Sequence, residues 1–334
     1  MRGKGRILLI PGDGVGPEVS EAALRVLEAV EGRYRLGLEV RRAEAGDSAA
    51  RRHGSPLPGW VEDLALHWAD AVLKGPVGET AGEVVVPLRR MLGAYANVRP
   101  ARSLVPSRCW GRVDLVIVRE NLEDVYYGVE YVVGDTAFAL KVSSRAGAAR
   151  VARVAGLYAS RRRGRVTIVH KANVLKLADG MFRREAGKVL AGMGVEYDEM
   201  YVDAAAMMLA RNPSRFDVVL TMNQYGDILS DLAAEVAGGI GLAPSANVGD
   251  GKALFEPVHG AAWDIAGKGV ANPTAMILAV AMMLEWMGHA EAGATVARAV
   301  EEAYRRGYTT PDVGGSMGTM EMASKIAGMV ESGV

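Results

Sequence analysis

The sequence predicts an α/β protein with a largely parallel sheet. Two patterns support this. Short apolar runs recur along the 334 residues, separated by longer amphipathic stretches. The residues that close the runs are polar and chemically capable, and the carboxyl ends of strands are where open α/β sheets bind ligands.

The apolar runs cover residues 7–10, 71–73, 115–118, 166–169 and 218–220. Helical stretches are expected over 18–30, 179–190, 228–237, 274–287 and 295–304. The first run stops at Pro11-Gly12, where PGDGVGPE sets Gly12, Gly14 and Gly16 in a strand-to-helix turn. That turn lacks the third-glycine spacing of the dinucleotide fingerprint, so a standard Rossmann cofactor site is not supported. The later runs end in Lys74-Gly75-Pro76, Arg119-Glu120-Asn121, His170-Lys171-Ala172-Asn173 and Thr221-Met222-Asn223. These ends suggest an active-site cleft. There is no internal repeat, low-complexity tract or long linker. The length suggests two domains, so the second must be wound into the first.

Composition excludes several classes. Thirty-nine Lys+Arg balance 39 Asp+Glu, which argues against a general polyanion binder. Half the residues are hydrophobic, so a disordered chain is excluded. Cys109 is the single cysteine, which rules out an internal disulfide and a Cys-rich zinc site. Arg2 and Lys4 precede an apolar run too short for a signal peptide. The longest apolar stretch, 275–284, is half a membrane span and reads as a buried helix. A soluble, cytoplasmic protein is therefore expected, with no membrane or nucleic-acid partner. Only nine of the basic residues are Lys, and Gln224 is the only Gln. Scarce Gln and Cys suit high temperature, whereas a GC-rich genome would also raise Arg.

Three groups of residues could carry chemistry. In NQYGDILSD, Asp227 and Asp231 stand four apart at a helix start, on one face. They suit a hard divalent cation such as Mg²⁺ or Mn²⁺, or they simply complement the helix dipole. Asp203 in YVDAAAMML is a third candidate. Arg89, Arg99 and Arg119 could converge on a di- or tricarboxylate through bidentate pairing, or could be solvated surface groups. The segment HGAAWDIAGKGVANP, 259–273, is rich in small residues, as a loop approached by a flat ligand would be, and as an ordinary loop can be.

Taken in order, PGDGVGPE, VRP, REN, HKAN, YVDA, GDILSD and HGAAWDIAGKGVANP resemble the β-decarboxylating dehydrogenases, which act on 3-isopropylmalate, isocitrate, homoisocitrate and tartrate. The resemblance runs from about residue 6 to about residue 320. It implies two interleaved α/β domains sharing a long twisted mixed sheet. Residues 1–94 and 238–334 would form the first domain, with the cofactor loop. Residues 95–237 would form the second, with the dimer contact and the metal carboxylates. It also implies a homodimer with shared sites, in which Lys171 and Asp203 cross from the partner. Asp203, Asp227 and Asp231 would hold Mg²⁺ or Mn²⁺, and Asp203 would also meet the substrate. Arg89, Arg99 and Arg119 would clamp the carboxylates of a malate-type small molecule. Lys171 would act as base and Tyr126 would reprotonate the product enol.

By the same resemblance, His259, Gly260, Ala261, Ala262, Asp264, Ile265 and Asn272 would bind the cofactor. NADP-dependent relatives generally place Lys-Tyr where this chain has Asp264-Ile265. An acid there repels a 2′-phosphate, which implies NAD⁺. Isocitrate enzymes carry Ser and Asn six and four residues before the first arginine. Here Glu83 and Val85 stand there, and Val84, Val85, Val86 and Val174 could form an apolar wall. An isopropyl group fits such a wall, whereas an unpaired carboxylate would cost several kcal/mol. The expected activity is therefore NAD-dependent oxidative decarboxylation of 3-isopropylmalate. Homoisocitrate and isocitrate are the alternatives within the family, and REN is common among those enzymes as well as among archaeal-type isopropylmalate enzymes. Leu122 stands where many relatives have Thr or Ser, and Trp263 where Pro is usual. A non-catalytic regulatory subunit, an alternative of another class, would have lost catalytic residues. This chain keeps all eight: the three arginines, Tyr126, Lys171, Asp203, Asp227 and Asp231.

Overall fold

A computed structural model describes residues 5–333. Arg2 and Lys4 lie outside the described residues. The chain divides into two compact units. The first comprises residues 1–93, 240–246 and 250–334, and the second residues 94–239 and 247–249.

The first unit opens with β1 (Arg6–Ile10), buried from Ile7 onward. Such a run suits a parallel strand covered on both faces. Helix α1 (Gly16–Tyr34) follows, with Pro in its first turn, where a missing N–H leaves no orphan. Strand β2 (Glu39–Arg42) and short helices α2 (Asp47–His53) and α3 (Gly59–Asp63) lead to β3 (Ala71–Lys74) and α4 (Ala81–Met91). The chain then enters the second unit.

There, β4 (Ala96–Arg102) and β5 (Asp114–Glu120) pair antiparallel. A hairpin, β6 (Glu130–Val133) with β7 (Thr136–Ala139), is exposed at every position, and Tyr131 stacks on Phe138 at 5.0 Å. Next come α5 (Arg145–Ser160), β8 (Arg165–His170), α6 (Ala178–Gly192), β9 (Glu196–Tyr201), α7 (Val202–Arg211), β10 (Val218–Thr221) and α8 (Asn223–Val236). Its core gathers Leu115, Ile117, Leu209, Phe216, Val219 and Leu229.

The chain returns through β11 (Pro244–Val248) and β12 (Ala253–Pro257) to α9 (Thr274–Trp286), α10 (Ala290–Arg305) and α11 (Thr319–Ser332). Within the first unit α1 packs on α11, and α9 packs on α10 and β12. The apolar stretch 275–284 lies inside α9, where most side chains are buried. Among the described residues no helix is long and apolar enough to cross a membrane.

The strands follow the order β2-β1-β3-β12-β11-β4-β5-β10-β8-β9 in a ten-stranded mixed sheet. All five apolar runs lie in strands, and all five helical stretches lie in helices to within one residue.

The glycine turn after β1 serves packing. Gly12 (φ +77°) and Gly14 (φ +60°) are left-handed. A Cβ on Gly12 would stand 1.9 Å from the Pro76 carbonyl oxygen, and one on Gly14 would stand 1.9 Å from that of Ala261. The same Ala261 oxygen accepts the Val15 N–H at 2.8 Å. Between the glycines, buried Asp13 accepts N–H groups from Asp47 (2.8 Å), Ser48 (3.0 Å) and Gly78 (3.2 Å). Gly14→Ala combines left-handed strain with a backbone clash. It is expected to lower unfolding free energy by about 2–4 kcal/mol in a urea titration.

Candidate active site

In the second unit, Arg119 from β5 is the centre of the candidate site. Its side chain is 1% exposed, so its charge must be met within the protein. Its Nε donates to Asn223 Oδ1 at 2.9 Å, and its guanidinium is ion-paired with Asp227. Arg99 from β4 donates to Ser230 Oγ at 2.7 Å and lies 3.2 Å from Asp231 and 3.4 Å from Asp227. Tyr126, on the short 3₁₀ turn Val125–Tyr127, donates its hydroxyl to Asp227 Oδ2 at 2.6 Å. The structure thus brings together five of the residues expected from the sequence: Arg99, Arg119, Tyr126, Asp227 and Asp231.

Helix α8 can approach this cluster because of Gly226. A Cβ there would stand 2.5 Å from Arg119 Cγ and 2.6 Å from its Cβ. The periodicity places Asp227 and Asp231 on one helix face, and both do meet Arg99. Burial pushes the Asp231 carboxyl up, against the pull of Arg99.

Lys171 follows β8 and Asp203 opens α7. Within one chain they pair with each other, at 2.6 Å, and this hydrogen bond holds Asp203 below the usual carboxylate range. Among the described residues no group of three His, Cys, Asp or Glu side chains converges as a metal site. Val174, near Lys171, is exposed.

In the first unit, Arg89 on α4 is buried and donates to Glu256 Oε1 at 3.1 Å. Lys74, at the end of β3, lies 3.0 Å from Glu256 Oε2. Glu256 was not singled out from the sequence, although an acid closing an apolar strand was the available signal. Val85 and Val86 are half-buried beside Arg89, but Val84 is fully buried. It packs inward, so any apolar wall on α4 consists of Val85 and Val86.

The loop 259–273 also belongs to the first unit. Ala261 is buried, Gly260, Ala262 and Asp264 are exposed, and Ile265 is half-buried. Ala262 adopts φ +43°, rare without glycine, and Ile265 N–H closes a turn onto Ala262 O at 3.2 Å. Gly260, Gly267 and Gly269 have open space where a Cβ would stand. Gly267 (φ +73°) and Gly269 (φ +66°) adopt the left-handed backbone that glycine supplies, whereas at Gly260 neither packing nor backbone requires a glycine. His259 Nδ1 contacts Gly260 O at 3.0 Å, Nε2 is buried without a partner, and burial pushes the imidazole down. The Asn272 side chain is committed within the chain. It accepts the Thr274 N–H (3.0 Å) and donates to Asp312 (3.0 Å) and Tyr304 (3.1 Å).

The second unit also buries polar residues that the sequence did not single out. Asn121 and Asn97 both donate to Asn247 Oδ1, at 3.1 and 2.9 Å. Glu120 accepts the Leu122 and Glu123 N–H groups, yet burial pushes it up to about 7. Glu120 and Asn121 sit in the REN motif, but a strand end gives no sign of which way each side chain turns.

Gly226→Ala should push the Arg119 side chain off Asn223 and Asp227. We expect kcat/KM to fall about 10- to 100-fold, with about 1–3 kcal/mol lost in thermal unfolding. Steady-state rates and calorimetry on the same preparation check both.

Comparison with known proteins bears on the whole chain. The isocitrate/isopropylmalate dehydrogenase family matches residues 6–326. A 3-isopropylmalate dehydrogenase of Saccharolobus solfataricus is 49% identical over 332 residues, covering 96% of this chain and 98% of that protein. An isocitrate/homoisocitrate dehydrogenase of Thermus thermophilus is 46% identical, covering 98% of this chain and 99% of its own. Among solved structures, isocitrate dehydrogenase from Methylococcus capsulatus superposes with a TM-score of 0.91 at 42% identity, covering 98% of this chain and 99% of that one. With the family match spanning nearly its full length, the chain belongs to the isocitrate/isopropylmalate dehydrogenase family.

Proposed function

We propose that this protein is an NAD-dependent 3-isopropylmalate dehydrogenase that oxidises and decarboxylates its substrate with a divalent metal. The observation that carries the reading is the cluster in the second unit. Two buried arginines, a tyrosine and two helix carboxylates meet there, and each matches a residue the chemistry requires. Relatives on this scaffold are named for isopropylmalate, isocitrate and homoisocitrate, so overall identity does not select the substrate. The chain's own residues do. Val85 and Val86 on α4 offer no partner for a third carboxylate, and Glu83 would repel one. Relatives named 3-isopropylmalate dehydrogenase, several of them archaeal, stand at 46–49% identity, so this reading fits the family context without being decided by it.

The donor sets fit the two groups the reaction needs. Asp227 and Asp231 are hard oxygen donors on one helix face, and Asp231 is half-exposed. The exposed Asp264 and the open backbone at Gly260, Gly267 and Gly269 suit the ribose and flat ring of NAD⁺. Bound there, NAD⁺ would supply the hydride acceptor, and Mg²⁺ or Mn²⁺ on Asp227, Asp231 and the partner subunit's Asp203 would supply Lewis acidity.

The side chains do the rest. Arg99 and Arg119 fix the substrate carboxylates by exchanging their present carboxylate partners for those of the substrate, and Arg89 adds a third cation. Lys171 takes the 2-hydroxyl proton as C2 loses its hydride. The carboxylate β to the new carbonyl leaves as CO₂. Tyr126 then protonates the carbon left behind, its hydroxyl aimed by Asp227. Lys171 and Asp203 already pair within one chain, consistent with both being presented together to a second subunit. The exposed apolar hairpin, with Tyr131, Val132, Val133 and Phe138, supports pairing of two copies.

The test is a substrate panel: isopropylmalate, isocitrate, homoisocitrate, malate and tartrate, each with NAD⁺ and NADP⁺. Isopropylmalate with NAD⁺ should give the highest kcat/KM, and chelation should abolish turnover until Mg²⁺ or Mn²⁺ is restored. A higher value with another acid reassigns the substrate, and full activity after chelation removes the metal role.

Site sharing has its own test. Lys171→Ala and Asp227→Asn, each inactive alone, should regain roughly a quarter of full activity when refolded together, because half the dimers are mixed and half their sites intact. Lys171→Ala refolded with Asp203→Asn should stay inactive, since both residues come from the same neighbour. Equal behaviour of the two mixtures would reject shared sites.

A further inference from the structure

Tyr126, Asp227 and Lys171 stand on three segments of the second unit, and two buried carboxylates anchor them. Asp124 precedes Tyr126 and adopts φ +69°, rare for a non-glycine residue. Its Oδ1 accepts the Val125 N–H at 2.8 Å, and its Oδ2 accepts the Gln224 N–H, in the first turn of α8, at 2.9 Å. Asp179, at the start of α6, accepts the Lys171 N–H at 2.7 Å. The two carboxylates are 1% and 0% exposed.

One cation reaches both. Lys141 Nζ stands 2.5 Å from Asp124 Oδ1 and 3.9 Å from Asp179 Oδ1, and 4.4 Å from the centre of the Tyr225 ring. Val142, its neighbour, bridges Asp124 through paired backbone hydrogen bonds of 2.9 and 3.3 Å. Without the ammonium, two buried negative charges would be left without this shared cation, and each would be driven toward water or a new geometry.

We propose that Lys141 is a positioning residue. Its ammonium clamps Asp124 and Asp179, and through them fixes the backbone beneath Tyr126, the start of α8 and Lys171. The clamp itself is a matter of geometry, while its effect on turnover rests on the roles given above to Tyr126 and Lys171. Displacing those groups by about 1 Å would slow proton transfer up to roughly 100-fold and leave carboxylate and cofactor binding largely intact.

The test uses Lys141→Met and Lys141→Arg in the full-length enzyme, with Leu209→Ala as a control. Leu209 lies in the apolar core of the same unit, and its truncation lowers stability. Lys141→Met should lose about 10- to 100-fold in kcat, with both KM values within about threefold. Amide exchange over 122–127 and 171–174 should speed up at least about tenfold, while 115–118 keeps its protection. Lys141→Arg should restore protection in both segments and return kcat to within about tenfold of the parent. Unchanged exchange in either segment of Lys141→Met, or an equal kcat loss in Leu209→Ala, overturns the proposal. Should Lys141→Met fail to fold, Lys141→Gln takes its place: faster exchange in both segments with a kcat loss supports the clamp, and unchanged exchange in either segment overturns it. Amide exchange needs no turnover, so a parent enzyme inactive on isopropylmalate would refute the functional reading while still deciding the clamp.

Discussion

The second unit is organised around one full charge that cannot reach water. Arg119 projects from a buried strand, and a buried guanidinium persists only where its hydrogen bonds and its counter-charge are both supplied. Asn223 and Asp227 supply them, and both lie on α8. The helix must therefore come close, and Gly226 is the residue that lets it. Once Asp227 is fixed, the Tyr126 hydroxyl has its acceptor and Arg99 its second carboxylate. The motif GDILSD is thus read physically as a contact surface for an arginine as much as a pair of acids.

Much of the fold was legible because it is written in burial. Residues 7–10, 115–118 and 218–220 are apolar without alternation, and covered parallel strands look like that. Other strands carry little of this signal. Strand β9, EYDEMY, is polar and stands at the sheet edge. Strand β4 holds Pro100 and two arginines, and its pairing with β5 is antiparallel. Strand β11 buries Ser245 and Asn247, which composition assigns to loops.

The chemical residues were legible in kind and less so in company. Arg99, Arg119, Tyr126, Asp227 and Asp231 could be named from motifs, and the structure adds that they hold one another. Asp124, Asp179 and Lys141 carry no spacing signal, because each acts through a partner more than one helical turn away: Gln224, Lys171 and the two aspartates. Glu256 had a weak one, as an acid closing an apolar strand, but its partners Lys74 and Arg89 are far off in the chain. Spacing rules see four residues along a helix, and they are blind to such pairs. The glycine turn at 12–16 shows the converse. It resembles a phosphate loop by composition, yet its glycines are explained by the carbonyls of Pro76 and Ala261.

The hairpin of β6 and β7 has a consequence for the life of the newly made chain. Its residues are open to solvent and largely apolar, and a two-stranded ribbon has little stability of its own. A chain that has finished folding still carries this adhesive strip until something covers it. If a second copy covers it, the waiting time is second-order and doubles when the concentration is halved. Dilute refolding, usually chosen to suppress aggregation, would then prolong the state in which this ribbon can find a wrong partner.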